Sequence, residues 1–197
     1  MAAKSGRRRA RRSRTSSSLS DLPASAGRSK DHQIRVVIET PKGCRNKFAY
    51  DPSFRTFELK KTLPAGMAFP YDFGFVPSTL AADGDPLDVL VLMEEPAFPG
   101  CLVRCRLLGA ILGEQEDEDE GVVRNDRLVA VEAGNERYKD FRRISDLSDK
   151  FLEELEAFFV NYHQLSGKKY RIIKTVGPNK ARKLTRRLHA RSATASK

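Results

Sequence analysis

The sequence predicts a small α+β domain that is mainly β, an antiparallel barrel flanked by helices. The 197-residue chain contains many short runs of β-branched and apolar residues, and it changes to helical spacing only late. Hydrophobic residues make up 40% of the chain, which is enough for a buried core. No apolar run approaches the length of a membrane span.

The predicted strands begin at Gln33 with "QIRVVIET". "RNKFAYDPSFRTFELKK" then divides into two strands at an Asp51-Pro52-Ser53 turn. Further strands are predicted at "DVLVLM", "CLVRCRLLGAIL", "RLVAVEA" and "KKYRIIKTV". The acidic run "EQEDEDEG" is predicted to be a solvated loop.

Two helices are predicted in the last third of the chain. Between Asp146 and Leu165, helical spacing separates Leu152, Leu155, Phe159 and Tyr162. Ser148 is the expected N-cap of this helix. "GPNKARKLTRRLHARS" predicts a short basic helix that opens at Pro178.

The formal net charge of +10 lies in the two ends of the chain. Residues 1–30 hold nine Lys or Arg and one acid, whereas residues 168–197 hold eleven and none, so the middle is acidic. We predict a disordered basic tail over 1–30, one folded catalytic domain over 31–176 and a basic C-terminal helix or tail over 177–197. The N-terminal tail is interpreted as solvated; contact with nucleic acid and an organellar transit peptide are the alternatives.

The cysteines indicate a reducing compartment, and we expect a cytoplasmic location. Cys44, Cys101 and Cys105 are odd in number and have no paired spacing, which argues against a disulfide framework. Zinc would require more Cys or His nearby.

The stretch "DGDPLDVLV" is the first sign of chemistry. It places Asp83, Asp85 and Asp88 directly before a predicted buried strand. Like charges this close cost free energy unless a cation lies between them. Carboxylates are the ligands that Mg²⁺ prefers, so a metal site is predicted. An EF-hand is rejected because Asp88 stands where its loop needs Gly.

Basic residues among the strands supply the other half of a site. They are Lys47, Lys60, Lys61, Arg127, Lys168 and Lys169. Any one of them is most simply an exposed strand residue. Together with the Asp cluster they indicate a site for a polyphosphate bound with its metal.

The stretch also resembles the D-x-D-P-x-D-V signature of soluble family I inorganic pyrophosphatases. Further similar segments are "VVIETPKG", "NKF", "MAFPYDFGFVPSTL", "RLVAV" and "FFVNYHQLSGKK", from Ile34 to the early 170s. The resemblance implies an OB-like five-stranded antiparallel β-barrel with flanking helices. It implies hydrolysis of pyrophosphate to two orthophosphates with several Mg²⁺ ions, for which Mn²⁺ or Zn²⁺ are possible substitutes.

Residue roles follow from the resemblance. Asp83 and Asp88 would ligate metal, Asp85 would hold the attacking water or accept its proton, and Glu39 would belong to the outer acidic shell. The phosphate ligands would be Lys47, Lys61, Arg127, Lys168 and Tyr162. Tyr162 also completes the apolar stripe of its helix, a compatible role.

Several positions depart from the family pattern. Ala49 replaces an acid, Phe73 replaces a Tyr, and His163 stands where Lys is common. In "NDRL", Asn125 occupies the frame of a metal ligand, yet we expect Asp126 to serve through a bulge. The late metal-ligating acid of the family has no clean equivalent; it is expected at Glu114, with Glu116 as the other candidate and plain loop exposure as the simplest interpretation of both.

Two rival hypotheses are kept. One is a nucleic-acid or anion-binding module that acts through the basic tails; the acidic middle argues against it. The other is a weakened or inactive pyrophosphatase-like scaffold, against which stands the intact Asp83, Asp85 and Asp88 set. The expected partners are pyrophosphate and further copies of the chain, with no membrane.

Overall fold

The computed structural model describes residues 18–24, 33–117 and 121–195. Its strands are β1 Gln33–Thr40, β2 Asn46–Asp51, β3 Thr56–Thr62, β4 Asp72–Val76, β5 Leu87–Leu92, β6 Leu102–Asp117, β7 Gly121–Arg124, β8 Arg127–Glu132 and β9 Lys169–Val176. Its helices are α1 Asp149–Gln164 and α2 Pro178–Ala195, with 3₁₀ turns at Leu19–Asp21 and Ile144–Asp146. Within these ranges, neither helix has the length and apolar character needed to cross a bilayer.

Five strands close into a ring, which confirms the predicted barrel. The order is β1-β4-β5-β8-β6, and β6 pairs back onto β1. One pairing differs from the prediction, because β5 and β8 are parallel. The β6–β7 excursion lies between them in the chain and supplies the crossover that a parallel pair requires.

Alternation along β5 separates two layers of core. Leu87, Val89 and Val91 point into the barrel. Leu90 and Leu92 point outward, into the cluster that α1 covers with Leu155 and Phe159. Because β5 is covered on both faces, its sequence is almost continuously apolar. Asp88 is the exception on the outer face.

The two helices form where the sequence predicts them. The Ser148 hydroxyl caps α1 by accepting a hydrogen bond from the Phe151 N–H. Helix α2 begins at Pro178, and its Ala181 and Leu188 join the core inside the barrel. The three cysteines are free thiols.

Two expectations are corrected. Residues 18–24 are ordered: Ser20 accepts a backbone hydrogen bond from Ser78, and Ala24 is buried. Residues 1–17 and 25–30 of the predicted tail lie outside the described residues. Part of the acidic run is strand, since Glu114 and Glu116 pair with β7 on one side and β9 on the other. Residues 118–120 are outside the described ranges.

Candidate functional site

The loop before β5 brings the Asp cluster to the outer face of the barrel. Gly84 has a φ of +88°, which favours glycine, and the Asp83 carboxylate accepts a hydrogen bond from the Asp85 N–H at 3.2 Å. The Ala81 N–H donates to the Asp85 carbonyl at 2.8 Å and closes the loop. Asp88 then follows Leu87 as the first outward residue of β5.

A pocket of about 450 Å³ opens beside Asp88 and is called the Asp88 pocket below. It brings together six of the residues expected from the sequence, namely Glu39, Lys47, Lys61, Asp85, Asp88 and Tyr162. Five of these residues come from different elements, namely β1, β2, β3, β5 and α1, and Asp85 comes from the loop before β5. Ser20, Tyr50 and Lys60 also line it.

Glu39 and Lys47 form one wall of the pocket. The Lys47 ammonium lies 3.5 Å from a Glu39 carboxylate oxygen and 4.2 Å from the centre of the Phe73 ring. The other Glu39 oxygen accepts a hydrogen bond from the Tyr50 N–H at 2.8 Å. Burial raises the pKa of Glu39, and Lys47 opposes that rise. The pairing of β2 with β3 shifts in register between Lys47 and Phe48, and such an irregularity changes the direction of the side chains beside it.

Asp88 lies at the base of the pocket. Burial raises its pKa to about 7; Arg127 and Lys47 oppose the shift, and Glu39 and Asp83 reinforce it. Burial likewise raises the pKa of Asp83, and the Asp85 charge adds to the rise. The carboxylates therefore repel one another, and a cation placed among them would lower their free energy.

The opposite wall is basic. The Lys61 ammonium lies 3.9 Å from the centre of the Tyr162 ring and donates to Ser166 Oγ at 2.6 Å. Burial lowers the pKa of Lys61, and the charges of Lys47 and Lys168 lower it further. Burial raises the pKa of Tyr162 to about 12, so its hydroxyl stays protonated. Clustered ammonium groups and a hydroxyl donor suit an anion with several oxygens.

Arg127 is placed behind Asp88 and does not line the pocket. Its side chain is almost fully buried, with Cζ 4.2 Å from the centre of the Phe159 ring and 4.6 Å from that of Tyr170. Its Nε lies 3.7 Å from Asp88 Oδ2, and its Nη2 lies 2.9 Å from His163 Nε2. Among the described residues, Nε and Nη1 have no hydrogen-bond acceptor.

Sequence reasoning missed the part that His163 plays. The sequence showed only that His163 stands where Lys is common; in the structure the ring is buried and stacks on Tyr170, with 4.8 Å between the ring centres. Burial lowers the pKa of His163 to about 3, with Arg127 as the next cause. The ring is therefore neutral, and its Nε2 accepts from Arg127. The available signal was the helical spacing on α1, because His163 continues the four-residue step from Leu155 to Phe159.

Two expected metal ligands lie elsewhere. The Asp126 carboxylate accepts from the Gly113 N–H at 3.2 Å and from Arg124 at 2.5 Å, and it lines a different cleft beside α2. Glu114 pairs with Arg171 at 2.8 Å. The expected bulge does not turn Asp126 towards the Asp88 pocket. The amide of Asn125 instead donates to Gln115 at 2.9 Å.

A metal ion fits the Asp88 pocket only together with other ligands. Among the described residues, no three acidic, His or Cys side chains are arranged to hold an ion by themselves. Mg²⁺ is commonly held by one or two carboxylates, several waters and the phosphates of a substrate. The mutually repelling carboxylates of this pocket meet that requirement.

Comparison with known proteins gives one consistent result. The sequence model of the inorganic pyrophosphatase family matches residues 36–193. An inorganic pyrophosphatase of Synechocystis is 38% identical over 150 residues, 76% of this chain and 84% of the relative. One of Thermus thermophilus is 38% identical over 159 residues, 81% and 87% of the two chains. The crystal structure of inorganic pyrophosphatase from Thermus thermophilus superposes with a TM-score of 0.81 at 33% identity, covering 90% of this chain and 99% of that one.

Proposed function

Because this chain belongs to the inorganic pyrophosphatase family and hydrolyses inorganic pyrophosphate, we propose that the Asp88 pocket is where it does so. The observation that carries this proposal is the convergence of opposed charges. The acidic side chains of Glu39, Asp85 and Asp88 and the ammonium groups of Lys47 and Lys61 line one cavity of about 450 Å³. A metal complex of pyrophosphate presents the complementary pattern of charge.

Family members are metal-dependent, and we propose that Asp83 and Asp88 hold the metal, with Glu39 in the surrounding acidic shell. We propose Mg²⁺ as the ion, with Mn²⁺ or Zn²⁺ as substitutes. The ion supplies activation of water near neutral pH and neutralisation of phosphate charge. Asp126 and Glu114 are not part of this proposal, because other side chains engage them.

The basic side chains of the pocket bind the substrate. Lys47 and Lys61 line it from the β2–β3 hairpin, and the Tyr162 hydroxyl would donate to a phosphate oxygen from α1. Lys168 acts from just outside the cavity, where its charge already depresses the pKa of Lys61. Phosphate oxygens would relieve the repulsion among these ammonium groups as they bind.

Asp85 would hold the attacking water and accept its proton. In support of this role, it lines the pocket from a loop whose backbone is fixed by the bond from the Ala81 N–H to the Asp85 carbonyl and the bond from the Asp85 N–H to Asp83. Arg127 acts through Asp88 as a positioning residue. Its guanidinium, held between Phe159 and Tyr170, fixes a positive charge behind that carboxylate.

Phosphate release from pyrophosphate, with Mg²⁺ titrated, tests the site. Asp88→Asn is expected to lower kcat on the order of 100-fold or more, because a metal-ligating charge is lost. Asp140→Asn is the control, since Asp140 is exposed and outside the pocket. Equal activity of both variants would place the chemistry elsewhere.

Homo-oligomeric assembly and a cytoplasmic location are also proposed, on the family resemblance and the free thiols. Light scattering of the purified protein tests the first. Imaging of a C-terminal fluorescent fusion tests the second.

A further inference from the structure

A second cavity lies on the other side of the barrel, between α2 and the strands β6, β7 and β9. It measures about 820 Å³, within the range of clefts that hold small organic ligands. We call it the α2 cleft. Its lining includes five basic residues, Arg124, Lys174, Lys180, Lys183 and Arg187. Asp126 is the one carboxylate of that lining, and Arg124 already engages it at 2.5 Å.

The other four basic side chains of the cleft have no acidic partner within the part of the chain that the structure describes. They are Lys174, Lys180, Lys183 and Arg187. Lys180, Lys183 and Arg187 follow one another at helical spacing, and from residue 177 onward the sequence has no acid at all. Like charges at this spacing destabilise a helix, and cations near its first turn oppose the helix dipole. A bound anion would relieve both effects.

The interior of the α2 cleft is aliphatic. Leu87, Leu112, Val176, Leu184 and Leu188 line it, together with two alanines, and no aromatic ring does. A nucleobase would find no ring to stack on, whereas an aliphatic chain would bury its surface against these side chains. The concave, aliphatic shape also separates this site from a flat basic face for nucleic acid.

We propose that the α2 cleft binds an aliphatic ligand with a phosphate or diphosphate head, the head on the basic side chains and the chain on the leucines. The same chemistry belongs to a free prenyl or alkyl diphosphate and to the headgroup region of an anionic phospholipid. The ligand would also contact Ala81 and Ala82. Those residues begin the loop that carries Asp83 and Asp85, and the Ala81 N–H holds the Asp85 carbonyl at 2.8 Å.

Helix α2 is itself tied to the segment before that loop. The Leu80 N–H donates to the Leu188 carbonyl at 3.2 Å, and His189 Nδ1 lies 2.6 Å from the Ser78 carbonyl oxygen. Occupancy of the α2 cleft therefore changes turnover in the Asp88 pocket, a consequence that rests on the proposed function. Binding itself does not rest on it.

The test is calorimetric titration of the full chain with geranyl diphosphate in EDTA, where hydrolysis is blocked. Arg187→Gln is expected to weaken binding about ten-fold or more, because one charge-assisted contact is lost. Arg186→Gln is the matched control, since Arg186 is the exposed neighbour on α2 that does not line the cleft. It should bind within about two-fold of wild type. Lys183→Gln repeats the test if Arg187→Gln fails to fold by circular dichroism.

Lys47→Gln separates the two cavities. Geranyl diphosphate should bind this variant as tightly as it binds wild type. Inorganic pyrophosphate lacks the aliphatic chain, so it should bind the variant at least about ten-fold more weakly than geranyl diphosphate does. Absence of binding to wild type, loss of binding in Lys47→Gln, or equal weakening by Arg186→Gln and Arg187→Gln would each overturn the proposal. If wild type binds RNA and both arginine variants weaken that binding equally, α2 is a general basic surface, which would overturn the proposal as well.

Co-sedimentation with phosphatidylcholine vesicles containing phosphatidic acid distinguishes the sources. Vesicle binding that needs Arg187 and not Arg186 supports a lipid headgroup, and binding of geranyl diphosphate alone supports a free ligand. In Mg²⁺, geranyl diphosphate should change kcat of Arg186→Gln but not of Arg187→Gln. Cleft binding with unchanged kcat in both would overturn the regulatory consequence, while failure of wild type to hydrolyse pyrophosphate would concern the Asp88 pocket alone.

Discussion

Asn125 and Asp126 are neighbours in the short connection between β7 and β8, and neither lines the Asp88 pocket. The Asp126 carboxylate accepts hydrogen bonds from Arg124 and from the Gly113 N–H, and the Asn125 amide donates to Gln115. The sequence left open which of the two would hold a metal, because strand parity favours Asn125 and a bulge would favour Asp126.

Asp126→Asn is therefore expected to need nearly the same Mg²⁺ concentration for half-maximal activity, within about two-fold of wild type. Removal of a true ligand, or of its supporting group, would raise that concentration about 10–100-fold. The measurement is phosphate release across a Mg²⁺ titration. A ten-fold increase would show that Asp126 reaches the metal.

His163 makes the stability of the fold sensitive to acid. Burial lowers its pKa to about 3 in the folded chain, from 6.5 for an exposed histidine. Between those values the unfolded state binds a proton that the folded state does not, so this contribution is present above pH 6.5 and is lost as the pH falls.

His163→Gln keeps an acceptor for Arg127 and removes the titration. The variant should lose less stability than wild type between pH 6 and pH 4, by up to about 1.4 kcal/mol for each pH unit. Urea unfolding in EDTA measures this. Asn161→Gln is the control, because Asn161 is exposed on the same helix and its side chain does not titrate. Identical acid slopes for wild type and His163→Gln would mean that the buried ring is protonated in the fold.

Among the elements, the N-terminal 3₁₀ turn at Leu19–Asp21 was missed, because the polar composition of residues 1–30 predicted disorder. It is too short and polar to predict, yet Ser18 Oγ lies 2.9 Å from the Tyr50 hydroxyl at the edge of the Asp88 pocket. Its order comes from the barrel surface that receives it, through Ser78 and through the Arg35 N–H that donates to Ala24 at 2.9 Å.

Deletion of residues 1–24 should lower the free energy of unfolding by about 1–3 kcal/mol, since several hydrogen bonds and the burial of Ala24 are lost. Deletion of residues 1–17 removes none of these described contacts and is the control. Urea unfolding of both shortened chains makes the comparison. If the two deletions have the same effect, the turn does not stabilise the barrel.

Longer elements were more predictable because their patterns are repeated. Helix α1, its Ser148 cap and the start of α2 at Pro178 follow from spacing and capping rules. The extension of β6 through Glu114 and Glu116 could not be predicted, because a run of acidic residues indicates a loop unless the partner strand is known. Arg171 and Lys169 on β9 supply the opposite charges that make this strand tolerable.

At the scale of the whole molecule, composition and motif together predict the class of fold and six residues of the Asp88 pocket. They do not predict the parallel β5–β8 pair, because register between distant strands depends on how the ring closes. The burial of Arg127 follows from that closure, since it sets Arg127 directly beside Asp88. The α2 cleft is likewise invisible in sequence, where its lysines resemble any solvated helical face.

The parallel pair has a consequence for how activity is lost. Asp88 and Arg127 meet only across the β5–β8 junction, and the chain between them must first complete β6 and its return. No contiguous fragment that stops short of β8 can assemble both partners. Loss of the β5–β8 pairing would therefore separate Asp88 from Arg127 and open the barrel in the same step.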